Sequence, residues 1–175
     1  NCTMEFCFDW DNNQTCSNGT FVAQALADAA VDDANLVMVD GAMSSQVAVT
    51  WSEPTMANYD MVRDMRLTAA GVTEAQVQAI WVKNANSTPQ VSLPADNADA
   101  YRLEENFGDV MRALQVRYPN LKEVFVSSRT YGGYATSPLN PEPFAYERGF
   151  SVKWLIADQI AGKPELNYDP GKGVG

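Results

Sequence analysis

The sequence predicts an α/β protein built on a parallel sheet with helices on both of its faces. Three observations carry this. First, Leu36-Val37-Met38-Val39, Val77 to Val82 and Val124-Phe125-Val126 are continuous apolar runs. Strands buried on both faces read this way, whereas half-exposed strands alternate. Second, helical spacing fills the stretches between and after these runs, which is the strand–helix alternation of parallel sheets. Third, each run ends in a short polar segment, as strands do at the functional edge of such a sheet.

The elements run in order along the chain. Residues 1–19 read as a polar loop. Phe21 to Ala30 reads as a short Ala-rich helix with Thr20 as its cap. The first strand ends at Asp40-Gly41. Gln46 to Trp51 is ambiguous, and Tyr59 to Leu67 reads as a helix with Tyr59, Val62 and Met65 three apart. Thr73-Glu74-Ala75-Gln76 has the capping-box pattern. The second strand, Val77 to Val82, leads into Lys83-Asn84-Ala85-Asn86. Asp96 to Tyr118 is the clearest helix, with Leu103, Phe107, Val110, Met111, Leu114 and Tyr118 on one face. Pro119-Asn120 stops it. The third strand ends at Ser127-Ser128-Arg129, and a Gly/Pro/Tyr-rich loop leads to a final helix, Phe144 to Ala161. Residues 1–162 form one domain in this reading, and 163–175 a linker or tail. Three strands make a thin sheet, so further pieces are expected at both ends.

Composition narrows the function. The 175 residues carry a net charge of −10, so nucleic acid and anionic membranes are poor partners. No apolar run reaches the roughly 20 residues of a membrane span. There is no histidine, so no Ser-His-Asp or Cys-His machinery can be completed within the chain. Neither a metal nor a cofactor is expected, because the cysteines lack C-x-x-C spacing and a fourth ligand. Asn1 opens directly into polar sequence. Either a leader has been removed or the numbering starts inside a longer chain.

All three cysteines, Cys2, Cys7 and Cys16, fall in the first sixteen residues. Clustered cysteines suit secretion, to the extracellular space or the periplasm. A Cys7–Cys16 disulfide would close a short polar loop and contribute about 2–3 kcal/mol, leaving Cys2 to pair outside this segment. Three free thiols are the alternative. Sequons begin at Asn1, Asn13, Asn18 and Asn86, of which Asn13 and Asn18 are candidate glycan sites.

Function in an open parallel sheet collects beyond the carboxyl ends of the strands. The segments there are Asp40 to Ser45, Lys83 to Asn86 and Ser127 to Tyr131. Gly41 offers a backbone N–H and Asn86 an amide donor, with Asn84 as the alternative register. Such a pair suits a tetrahedral oxyanion. Alone, each has an ordinary reading as a turn or cap. Ser44, Arg129 and Tyr131 are candidate binding residues on the same edge. A serine acting alone as nucleophile lacks a base. Lys83, Arg129, Glu142 and Glu147 have surface ion pairs as their default. The aromatics from Tyr131 to Tyr134 and Phe144 to Tyr146 form either a sugar-facing rim or an edge of the core.

The chain resembles the SGNH (GDSL-type) hydrolases, particularly a secreted bacterial SGNH-like branch. Asn35 to Ala42, Val77 to Asn86, Tyr118-Pro119-Asn120-Leu121 with Val126 to Tyr131, Asn140 to Glu147 and Val152 to Ile156 carry the resemblance. It implies a flavodoxin-like three-layer α/β/α fold, here incomplete at both ends. It implies Gly41 and Asn86 as the oxyanion hole. The family's nucleophilic Ser and its late Asp-x-x-His are both missing. Asn1-Cys2-Thr3 resembles the residues that come after that serine in the turn following the first strand, and the Asp-x-x-His block falls beyond Gly175. The expectation is the central portion of a secreted serine ester hydrolase, acting on carbohydrate O-acyl esters and inactive as this segment alone. The alternative is a non-catalytic extracellular glycoprotein or assembly subunit on the same scaffold.

Overall fold

The structure is a computed structural model that describes residues 2–7, 25, 27–31, 36–43, 46–128, 131–136, 138, 140–164 and 166. The chain folds as α/β around a four-stranded parallel sheet of order β2-β1-β3-β4. The strands are β1 (Cys2–Cys7), β2 (Val37–Asp40), β3 (Val77–Lys83) and β4 (Glu123–Ser127). In register, Glu5 stands beside Asp40 on one side and Trp81 on the other, and Trp81 beside Phe125.

Strand β1 corrects the sequence reading. Local sequence puts residues 2–7 within a loop, yet they form an interior strand paired on both sides. Thr3, Met4, Glu5 and Phe6 do alternate polar with apolar, which is a strand signal. It covers too few residues to outweigh the Asp/Asn-rich stretch after it. Two neighbouring strands supply the pairing, and that information is not local.

The other elements fall close to expectation. A 3-10 turn occupies Ala48–Trp51, resolving the ambiguous segment. Helix α1 (Ala57–Met61) widens into a π-helical stretch, Val62–Leu67. Thr73 N–H donates to Gln76 Oε1 at 2.9 Å, as the capping-box pattern requires. Helix α2 (Asp99–Arg117) and helix α3 (Phe144–Ile160) are the two long helices. Of the helix expected at 21–30, residues 21–24 and 26 lie outside the described residues; Ala25 and Ala27 are helical, and residues 28–30 form a turn instead, with Asp28 Oδ1 accepting the Ala30 N–H at 2.9 Å.

One face of the sheet holds the core. Val39, Ile80 and Val82 are buried with Val110 and Leu114 of α2. Further along, Val126 packs on a cluster containing Leu103 and Phe107 of α2 and Leu155 of α3. Register puts Val82 beside Val126, so both long helices cover the same face. Ser151 Oγ ties them by donating to Ala100 O at 2.7 Å. The continuous run of β3 is therefore not buried evenly: Ile80 and Val82 are buried, while Ala79, Trp81 and Lys83 are half-exposed. On that second face Phe125 is 57% exposed. Within the segment 163–175, expected as a linker or tail, Leu166 is buried in the second cluster. Gln159 Nε2 donates to its carbonyl at 3.2 Å.

Candidate functional site

The loops after β2, β3 and β4 build the carboxyl edge of the sheet. After β2, Asp40 Oδ1 accepts the Ala42 N–H at 2.9 Å, closing an Asx turn around Gly41. Gly41 and Ala42 are both buried. After β3, Asn84 is buried and its Oδ1 accepts the Ala85 N–H at 2.7 Å. The loop after β3 is joined to the 3-10 turn that follows the Gly41 segment, since Ala48 N–H donates to Ala85 O at 2.9 Å.

Asn86 is held on two sides. Asn106 of α2 donates from Nδ2 to Asn86 Oδ1 at 2.9 Å. Asn140 donates from Nδ2 to the Asn86 carbonyl at 3.2 Å. The Asn106 bond takes one of the two acceptor sites of Oδ1 and fixes the Asn86 amide in orientation. Its Nδ2 is buried and has no partner among the described residues. It lines a half-open cavity of about 20 Å³ together with Asp99, Asn140, Phe144, Glu147 and Arg148.

Glu147 departs from the surface ion pair that is the default for a lone glutamate. It is only 6% exposed. Its Oε1 accepts the Leu93 N–H at 3.0 Å, and Oε2 has no partner among the described residues. Burial raises its carboxyl above the usual glutamate range; the Leu93 N–H opposes this, and the nearby Asp99 and Glu142 carboxylates add to it. A signal is present in the sequence. Glu147 and Arg148 share helical spacing with the buried Ser151 and Leu155. Asn106 and Asn140 are further site residues that the sequence does not point to, since single asparagines give no signal of their own.

Loops shape the surroundings. Asp99 Oδ2 accepts the Gln90 and Val91 N–H groups at 2.6 and 2.8 Å, pinning the loop before α2. Glu142 Oε1 accepts the Gly132 N–H at 2.6 Å and its Oε2 the Tyr146 N–H at 3.1 Å, fastening the Tyr131–Tyr134 loop to the start of α3. A Cβ on Gly132 would lie 2.6 Å from Ala145 Cβ and 2.9 Å from Asn140 O, so only glycine permits this approach. Tyr131 is 63% and Tyr134 89% exposed, with their rings edge to face at 5.3 Å. Tyr146 is exposed too. These tyrosines are not packed into the core edge, whereas Phe144 lines the cavity.

Other expected residues cannot be placed. Ser44, Arg129, Asn13, Asn18 and Cys16 lie outside the described residues, and with Cys16 goes the Cys7–Cys16 bridge. Among the described residues no cluster of His, Cys, Asp or Glu is arranged to hold a metal ion. None of their helices is long and apolar enough to cross a membrane. No protein-family model matches the chain, and no curated protein matches it.

Proposed function

We propose that this chain carries the oxyanion-binding part of a secreted SGNH-type serine ester hydrolase, with nucleophile and base contributed from outside these residues. One observation carries the reading. The Ala48–Ala85 hydrogen bond ties the 3-10 turn that follows the Gly41 segment to the loop bearing Asn86, and Asn106 fixes the Asn86 amide through its Oδ1. The strand order β2-β1-β3-β4 supports it, being the opening of the flavodoxin-like order. A three-layer arrangement further requires a helix over Trp81 and Phe125 on the second face.

In this reading a serine hydroxyl attacks the ester carbonyl while a base takes its proton. Charge collects on the carbonyl oxygen, where the Gly41 N–H and the Asn86 amide donate to it. The intermediate collapses, the base returns the proton to the leaving alcohol, and water releases the acyl group by the same steps. Carbohydrate O-acyl esters are the proposed substrates, with the exposed Tyr131, Tyr134 and Tyr146 as the sugar-facing side.

Strand β1 sets a condition. Strand β1 begins at Cys2, so a serine preceding this strand would stand at its amino end. Cys2 to Cys7 spans about 17 Å at the rise of a strand, so that serine is at the far edge of the sheet from Gly41 and Asn86. The hydrolase reading needs residues 1–3 to leave the sheet in the full-length protein, or the serine to arrive from another segment. The same placement favours a second reading, a non-catalytic extracellular subunit on this scaffold. The full-length protein separates them. Hydrolysis of p-nitrophenyl acetate, reduced about 10²–10³-fold by Asn86→Ala, is expected of the enzyme. Absence of hydrolysis leaves the second reading, and hydrolysis at a rate untouched by Asn86→Ala removes Asn86 from the oxyanion site.

A further inference from the structure

The cavity beside Asn86 is lined by three polar or charged side chains that are more than nine-tenths buried, Asn140, Glu147 and Arg148. Two of the residues that line it, Asn86 and Glu147, each hold a buried polar atom with no partner among the described residues, and the two atoms are complementary. Asn86 Nδ2 is a donor and Glu147 Oε2 is an acceptor. Buried polar groups in folded proteins are nearly always paired, so each such orphan calls for a ligand or an ordered water. The cavity measures about 20 Å³, room for one water-sized oxygen group, since a water needs at least about 10–15 Å³.

We propose that this cavity is a subsite for a single hydroxyl of a neutral polyol or sugar, the hydroxyl oxygen accepting from Asn86 Nδ2 while its hydrogen is donated to Glu147 Oε2. A hydroxyl is the group that satisfies both atoms at once. A carboxylate or phosphate has no hydrogen for Glu147, and the Glu147 and Asp99 carboxylates on the same wall outnumber the one cation there, Arg148. An ammonium has nothing to accept from Asn86. The net charge of −10 disfavours anions further. The cavity is open on one side, so the rest of the ligand stays outside. There the Gly132 loop, pressed against Asn140 O and Ala145, carries the exposed pair Tyr131 and Tyr134. Their ring faces suit the apolar C–H face of a pyranose. The subsite needs no nucleophile, so it stands whether or not the protein hydrolyses esters.

The test follows the Asn86 side-chain amide in ¹H–¹⁵N spectra of this chain during titration with methyl β-D-glucopyranoside, with sodium acetate as the anionic control. A saturable shift with Kd of the order of millimolar is expected for so small a contact. Glu147→Gln, which turns a donor toward Asn86, is expected to weaken binding about tenfold. Tyr131→Ala, which leaves the cavity intact, is expected to weaken it less. No saturable shift, with the amide contacting water alone, overturns the proposal in favour of a structural water only. Equal saturation by acetate, or an affinity unchanged in Glu147→Gln, overturns it as well. Should Glu147→Gln fail to fold, the wild-type titration and its acetate control decide alone. Ester hydrolysis by the full-length protein is read separately, so sugar binding without hydrolysis retires only the catalytic reading.

Discussion

The two ends of the sheet treat buried polar groups in opposite ways. At the amino end, Arg117 closes α2 and donates from Nε to Glu74 Oε1 at 2.9 Å and from Nη2 to Asp60 Oδ1 at 3.1 Å. It also lies over the Tyr59 ring, 5.6 Å from its centre, and Tyr59 donates its hydroxyl to Trp51 O at 2.6 Å. Burial pushes the Tyr59 phenol well above its ordinary range. The Arg117 and Tyr59 donors there are matched within the chain. At the carboxyl end, Asn86 and Glu147 each keep one hydrogen-bonding atom unmatched among the described residues. Matched polar groups stabilise a fold, while unmatched ones cost stability and are kept where something binds.

Four substitutions put this contrast at risk. The dry core between the two ends sets the scale. Phe107→Ala removes a fully buried ring from the α2–α3 cluster and is expected to cost about 3–5 kcal/mol in urea unfolding. Arg117→Ala leaves the Glu74 and Asp60 carboxylates without their cation, with an expected cost of about 2–3 kcal/mol. A loss under half of that would mean the amino-end network is ornamental. Asn106→Ala removes one bond to Asn86 and should cost about 1 kcal/mol, while freeing the Asn86 amide to rotate, which side-chain NMR would detect.

Glu147→Gln is expected to have the smallest effect and the opposite sign. Because burial raises the Glu147 carboxyl, the folded chain holds this proton more tightly than the unfolded chain. Its contribution is full below the ordinary glutamate range and is lost as pH rises through the raised value. The Gln variant should therefore be more stable than wild type at pH 7, with the difference vanishing near pH 4. Equal unfolding midpoints at both pH values would show that Glu147 does not ionise at a cost, and that the two ends are alike.

Much of this is legible in the sequence. The α2 face of Leu103, Phe107, Val110 and Leu114 comes from helical spacing, and the boundaries of β3 and β4 come from apolar runs between polar breaks. Gly41 and Asn86 stand out because function in a parallel sheet gathers after its strands. Glu147 does not, because a lone glutamate on a helix is ordinarily solvated, and only the packing of α3 on α2 buries it. Asn106 and Asn140 meet Asn86 across 20 and 54 residues of chain. No local pattern encodes such partners.

By itself, the sequence determined the class of fold, the absence of histidine and with it of a self-contained triad, and which loops would gather at one edge. Periodicity and composition are properties of the chain, and they survive without coordinates. The tertiary structure decided that residues 2–7 are an interior strand, that both long helices share one face, and that Asn86 and Glu147 meet at one cavity. Each of these depends on pairing or burial between segments far apart in the chain. Such contacts are set by how the whole chain packs, because a buried polar atom is satisfied or orphaned only by neighbours that folding brings to it.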